Sequence, residues 1–248
     1  MRSTRIACLL LSAATLLIGS VAVTPAAHAA KARGYSVSTS QLPDGKTAVV
    51  RWDPCADPIT YRVNLSGLKP VDRARALRET KVKVGQLAKA SGLRFTYQGE
   101  TAYVPRANHE TEDQPAQLVI AYVRPNQTDL PLAGNVAGFG GTRSGWATHG
   151  DFESVTLRVE SGYVVVDAPQ TSRWIKSVKT GGVSRANVLA HELGHAVGLG
   201  HVKDRRQVMN ATIQAKTPAQ YAAGDRAGLA KVGRAAGCAP SAIIEYEY

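Results

Sequence analysis

Eleven residues, His191 to His201 (HELGHAVGLGH), constrain this chain more than any other stretch. They carry the pattern H-E-x-x-H-x-x-G-x-x-H, and each fixed position has a chemical reason. On a helix, residues four apart stand one turn above each other on the same face. His191 and His195 therefore offer two imidazoles to a single Zn²⁺. Gly198 can take the left-handed conformation that ends the helix and turns the chain back. That turn supplies His201 as a third nitrogen and leaves the fourth zinc position to water. Glu192, beside the first ligand, can aim its carboxylate at that water. A base next to a zinc-bound water of lowered pKa is the machinery of metal-assisted hydrolysis. A lone histidine on an apolar helix face is more often a core residue. The five fixed positions, however, would coincide by accident in only about one in a hundred thousand chains of this length. The stretch therefore predicts a zinc centre on His191, His195 and His201, with Glu192 as the catalytic base.

A chain of 248 residues has room for one domain with a sizeable core or two small ones. Its 44% hydrophobic and 20% charged residues are those of an ordinary globular protein. The first 29 residues read differently. Arg2 and Arg5 precede an apolar run from Ile6 to Val23, and Ala27 and Ala29 stand where a signal peptidase reads small residues. The expectation is a signal peptide over 1–29, a secreted protein and no stable membrane association after cleavage. A retained anchor is the competing reading, because the run is nearly long enough to span a bilayer. Cleavage would leave 28 Lys and Arg against 19 Asp and Glu, a net charge of +9. No dense basic run with interleaved aromatics occurs, so these charges read as solvated faces and no nucleic-acid partner is expected. Cys8 would leave with the signal segment. Cys55 and Cys238 remain, and an oxidising compartment favours a disulfide between them. A sharper alternative makes Cys55 a thiolate that caps the zinc in a latent form.

Residues 30–51 hold a turn signal at Pro43 to Gly45 and little that builds a core, as in a short pro-segment or a strand leading into the domain. Ile59, Tyr61, Val63 and Leu65 alternate with polar residues and predict a strand. The spacing of Val71, Ala74, Leu77, Val84, Leu87 and Ala88 predicts an amphipathic helix over 70–91, stopped by Gly92. Further strands are expected at 93–99, at 117–123 (a continuous apolar run, as on an inner strand) and at 155–167, as one strand or two joined at Ser161-Gly162. A short edge strand is expected near 136–139 amid glycine-rich loops. Ser184 reads as the N-cap of the motif helix. Thr217-Pro218 reads as the start of a last helix reaching about Ala236, and the closing EYEY as a solvated tail or a short strand. This order indicates an α/β sheet rather than a helical bundle.

The extended motif resembles that of the metzincin clan of zinc endopeptidases. Its members carry a methionine in a tight turn beneath the metal, and Met209 in RQVMNAT stands eight residues after His201. Within the clan, HELGHAVGLGH, the segment GDRAGLAKVG and the strand ITYRVNL are most similar to the matrixins. That resemblance spans roughly Trp52 to Cys238. It implies a catalytic domain over 52–248 with a twisted, mixed five-stranded sheet, an active-site helix and a small irregular C-terminal lobe ending in a helix. It also implies one catalytic Zn²⁺, hydrolysis of protein or peptide substrates laid along the edge strand, and a monomer.

The chain departs from the matrixin pattern in several places. Val202 follows the third ligand where matrixins have Ser, and the PRCGVPD switch is absent. No Tyr follows Met209 as an extra ligand. His149 and Asp151, with His109, are candidates for a second zinc, and no Asp-dense loop supports Ca²⁺. Two other classes stay open: a secreted zinc protein that binds a partner without catalysis, and a zinc amidase acting on cell-wall material.

Overall fold

The computed structural model describes residues 34–43, 45–107, 114–132, 134–148 and 155–239. The expected signal segment, His109, the His149-Gly150-Asp151 stretch and the EYEY end lie outside these residues. Among the described residues, no helix is long and apolar enough to cross a membrane.

A five-stranded mixed sheet carries the fold. Its strands are β3 (Ile59–Asn64), β4 (Phe95–Glu100), β5 (Leu118–Val123), β6 (Gly138–Thr148) and β7 (Val155–Asp167), in the order β4-β3-β5-β7-β6. Only β6 runs antiparallel to its neighbour, and it forms one edge of the sheet. Helices α1 (Pro70–Ser91) and α3 (Arg185–His195) cover one face. There Ile59, Tyr61 and Val63 of β3 and Leu118, Ile120 and Tyr122 of β5 meet Val84, Leu87, Val188, Leu189 and Leu193 in the main core. The other face of β5 and β7 buries Ala121, Val123 and Val165 against Leu130 and Leu132. Every residue of β5 is buried, which is why the strand reads as a continuous apolar run. A short ribbon, β1 (Thr39–Gln41) with β2 (Thr47–Val49), precedes the sheet. A one-turn helix α2 (Ala168–Thr171), capped by Asp167, follows β7, and α4 (Ala223–Val232) closes the C-terminal lobe.

Helix α1 has the expected ends: Pro70 stands in the first turn, and Gly92 turns left-handed with φ +72°, its amide donating to the Ala88 carbonyl. Its buried face differs from the expected one. Val71 is 83% exposed and Ala74 is exposed, while Glu79, Thr80 and Lys83 are buried with Ala76, Val84 and Leu87. The polar residues go inside because they find partners there. Glu79 binds Arg185, Thr80 pairs with the Tyr122 hydroxyl at 2.8 Å, and Lys83 donates to the carbonyls of Ala219 (2.6 Å) and Val178 (3.3 Å). Apolar periodicity cannot register such partners.

Two boundaries are corrected. The short edge strand expected near 136–139 is the eleven-residue β6, whereas of the two readings of 155–167 the single strand holds, since β7 runs unbroken through Ser161-Gly162. Glycine and serine carry almost no strand propensity. Here pairing with β7 along the whole length, Gly138↔Val166 to Thr148↔Val155, supplies the strand. The last helix begins at Ala223, not at Thr217-Pro218. Thr217 closes a turn with Gln214, and the Asp225 carboxylate accepts from the Ala222 amide at 2.8 Å, capping the helix five residues later.

Cys55 and Cys238 form a disulfide, with Cα atoms 5.3 Å apart and a sequence separation of 183. This removes the latent-thiolate alternative, since a bonded sulfur has no thiolate to offer a metal. Arg51 binds the carbonyls of Gly237 and Cys238 beside it. In the chain-entropy picture a loop of that length is worth about 5 kcal/mol. The double variant Cys55→Ser, Cys238→Ser is therefore expected to melt on the order of 10–20 °C lower. A thermal scan of the metal-free protein checks this, and an unchanged midpoint would show that Arg51 and the core hold the ends together without the bond.

Candidate metal centre

Helix α3 is buried from Arg185 to Gly194 and so has no solvent to satisfy its ends. At its start the Ser184 hydroxyl accepts from the Asn187 amide at 3.2 Å, and Asn187 Nδ2 donates to the Gly182 carbonyl at 2.7 Å. At its finish the Trp52 indole donates to the Ala196 carbonyl at 2.9 Å. Tyr221 reaches the Ala190 carbonyl at 2.7 Å. Gly198 takes φ +99° as expected, and a β-carbon there would strike the Val50 carbonyl. The chain then reverses and delivers His201.

The three histidines converge. Their Nε2 atoms lie 3.1 Å (His191 to His195), 3.1 Å (His191 to His201) and 3.0 Å (His195 to His201) apart. A tetrahedral zinc with Zn–N bonds of about 2.0–2.1 Å needs edges of about 3.3–3.4 Å, within a few tenths of an ångström of these. The tautomers fit as well. His191 Nδ1 faces the Val208 carbonyl at 2.7 Å and His195 Nδ1 the Leu199 carbonyl at 2.8 Å. A carbonyl can only accept, so both Nδ1 atoms carry the proton and both Nε2 atoms present lone pairs. Two lone pairs facing each other at 3.1 Å share no proton, and a cation between them resolves the conflict. Burial, with the neighbouring imidazoles, lowers His191 to about 3, and burial lowers His195 to about 4. Burial also lowers His201. All three are thus neutral, as metal ligands must be. Among the described residues they are the group of His, Cys, Asp and Glu side chains placed to hold an ion.

Glu192 lines the same cleft, a cavity of about 860 Å³. Burial pushes its carboxyl up to about 8, while the Gly140 amide, donating to it, pulls the other way. A divalent cation alongside would draw it down further. The edge strand approaches this residue so closely that β-carbons at Gly138 and Gly140 would collide with its side chain and its carbonyl. Glycine at both positions is what lets β6 lie against α3.

Met209 is 1% exposed, and its sulfur lies under Gly194, in the turn between the first two histidines. Sequence reasoning missed what holds this turn. Asp225, 2% exposed in the first turn of α4, accepts from the amides of Val208 (2.9 Å) and Met209 (3.1 Å). Burial raises its carboxyl, and those amides oppose the rise. An acid at the start of a helix is the only sequence signal, and it reads as ordinary capping. Trp174 and Ile213, on the cleft wall, had no signal at all.

Comparison with known proteins agrees with this architecture. A family model described as matrixin matches residues 52–232. A search of curated proteins finds no match. With three histidines set for a metal beside an antiparallel edge strand, and a family model covering most of its length, the chain belongs to the matrixin family, whose membership points to a zinc metallopeptidase acting on proteins or peptides.

Proposed function

We propose that this protein is a secreted zinc metalloendopeptidase, with 1–29 as signal peptide and 52–248 as catalytic domain. The observation that carries the reading is the convergence of three neutral Nε2 atoms in an open cleft that Glu192 also lines. His191, His195 and His201 would hold Zn²⁺, which supplies Lewis acidity toward the scissile carbonyl and toward water. Glu192 takes a proton from the attacking water on a carboxylate oxygen and returns it to the leaving amine. The Gly140 amide fixes that carboxylate. The free edge of β6 offers backbone groups to an extended peptide. Ala137, Trp174, Val183, Val188 and Ile213 line the cleft together with the histidines, an apolar lining that suits an apolar side chain. Secretion rests on the Arg2/Arg5, Ile6–Val23 and Ala27/Ala29 pattern and on the disulfide.

The test is cleavage of a peptide library by the processed protein, before and after treatment with a zinc chelator. We expect internal cleavage that the chelator abolishes and added zinc restores. Release of amines from peptidoglycan but not from peptides would assign the centre to cell-wall amide hydrolysis instead. A zinc-loaded protein inert on both would be a binding protein.

A further inference from the structure

We infer that the N-terminal segment 34–50, which lies outside the stretch matched by the family model, is a retained strut that positions the third metal ligand rather than a pro-segment removed on maturation. The inference rests on the metal-centre reading and adds a part to it.

The three ligands are not held alike. His191 and His195 ride on a buried helix, and each has its Nδ1 anchored by a carbonyl. His201 is exposed, lies beyond the helix, and its Nδ1 makes no hydrogen bond among the described residues. Apart from its contacts with the other two imidazoles, its ring is placed through its backbone. On the far side, the Val202 amide donates to the Met209 carbonyl at 2.9 Å. On the near side, the tie comes from the N-terminal segment. Val37 forms an antiparallel bridge with Leu199, with the Ser38 amide donating to the Gly198 carbonyl at 2.8 Å and the Gly200 amide to the Ser36 carbonyl at 2.9 Å. Leu199 is itself the residue whose carbonyl orients His195. The segment thus steadies two ligands through one bridge.

Further contacts make the segment part of the domain. The Val50 amide donates back to the Ser38 carbonyl at 2.9 Å, and Val50 is 7% exposed in the main core. Gln207, fully buried one residue before the carbonyl that orients His191, donates to the Gly34 carbonyl at 3.0 Å. Removing 34–50 would leave the Gly200 amide and the Gln207 side chain without these partners. A pro-segment would instead cover the cleft, and none of the described residues of 34–50 lines it.

Gly200 provides a selective probe in the full-length processed protein. A β-carbon there meets Ser36 and nothing else closely: Oγ at 2.6 Å and Cβ at 3.2 Å. Gly200→Ala should push the strut away and lower zinc affinity, read by chelator competition, about 10- to 100-fold, the usual scale for lost support of a ligand. It should also speed hydrogen exchange of the Ser38 and Gly200 amides, a readout that needs no metal. Ser36→Gly alone should change little, and the double variant should recover affinity and protection. If Gly200→Ala damages folding, recovery on adding Ser36→Gly supports the strut equally. Wild-type affinity and exchange in Gly200→Ala, or no recovery in the double variant, overturns the inference. So does an active, zinc-loaded form whose sequenced N-terminus lies beyond Val50. A protein that binds no zinc even with the segment intact would sink the metal reading, while the exchange data would still judge the strut.

Discussion

Glu192→Gln is expected to lower peptide cleavage by about 10²- to 10⁴-fold, the range of a positioned general base, while zinc content stays at one ion per chain. The substitution isolates the proton-transfer step. Glutamine has the size of glutamate, and its amide oxygen can still accept from the Gly140 amide that fixes the carboxylate. It sits on the side of α3 that faces β6, where β-carbons at Gly138 and Gly140 would already collide, so a larger replacement would displace the edge strand and confuse the reading. None of the three Nε2 atoms depends on it. The amide cannot take a proton from water, so turnover should fall with little change in substrate affinity. Cleavage kinetics with metal analysis on the same sample provide the check. A zinc-loaded variant of undiminished activity would refute the assignment of Glu192.

A large effect on stability is also expected at Glu79. Its carboxylate accepts from Arg185 Nε at 2.9 Å on one oxygen, with a terminal guanidinium nitrogen in ion-pair contact at 2.8 Å, and from Arg75 Nε at 2.9 Å on the other. Arg185 is 1% exposed, has its guanidinium carbon 5.9 Å from the centroid of the Tyr122 ring, and occupies the first position of α3. Glu79→Ala leaves that charge in the interior without a counter-ion, a situation that costs about 3–5 kcal/mol. The loss should be measured on metal-free protein, because bound zinc would mask it by mass action. Glu79→Gln, which keeps an acceptor, should lose less. A cost below about 1 kcal/mol for Glu79→Ala would mean that solvent reaches Arg185 and the pair does little for the fold. Because Arg185 starts the motif helix, the same variant tests whether α1 holds the metal centre in place.

Legibility in the sequence followed the range of the interactions. The convergence of the three histidines, with Glu192 beside them, was readable because a helix fixes the relation of the first two over one turn, and Gly198 announces the reversal that brings His201 back. The ends of α1 were readable for the same reason: Pro70 and Gly92 act on their own backbone. The buried face of α1 was not, because Glu79 and Lys83 look solvent-bound until Arg185, Ala219 and Val178 arrive from 95 to 136 residues away. Strand β6 was under-read because glycine's close approach to α3 suppresses the local strand signal that β7 then overrides.

By itself, then, the sequence determined which side chains meet at the centre and the kind of fold around it. Ligand spacing and strand alternation are properties of a few consecutive residues. The tertiary structure alone decided what holds that centre still. Asp225 clamps the turn around Met209, Gly138 and Gly140 admit the edge strand to Glu192, and Ser36 to Ser38 tie the loop that carries His201. The first and last of these contacts join main-chain amides to distant partners. Any residue but proline supplies such an amide, so no residue type marks the contact before the chain has folded.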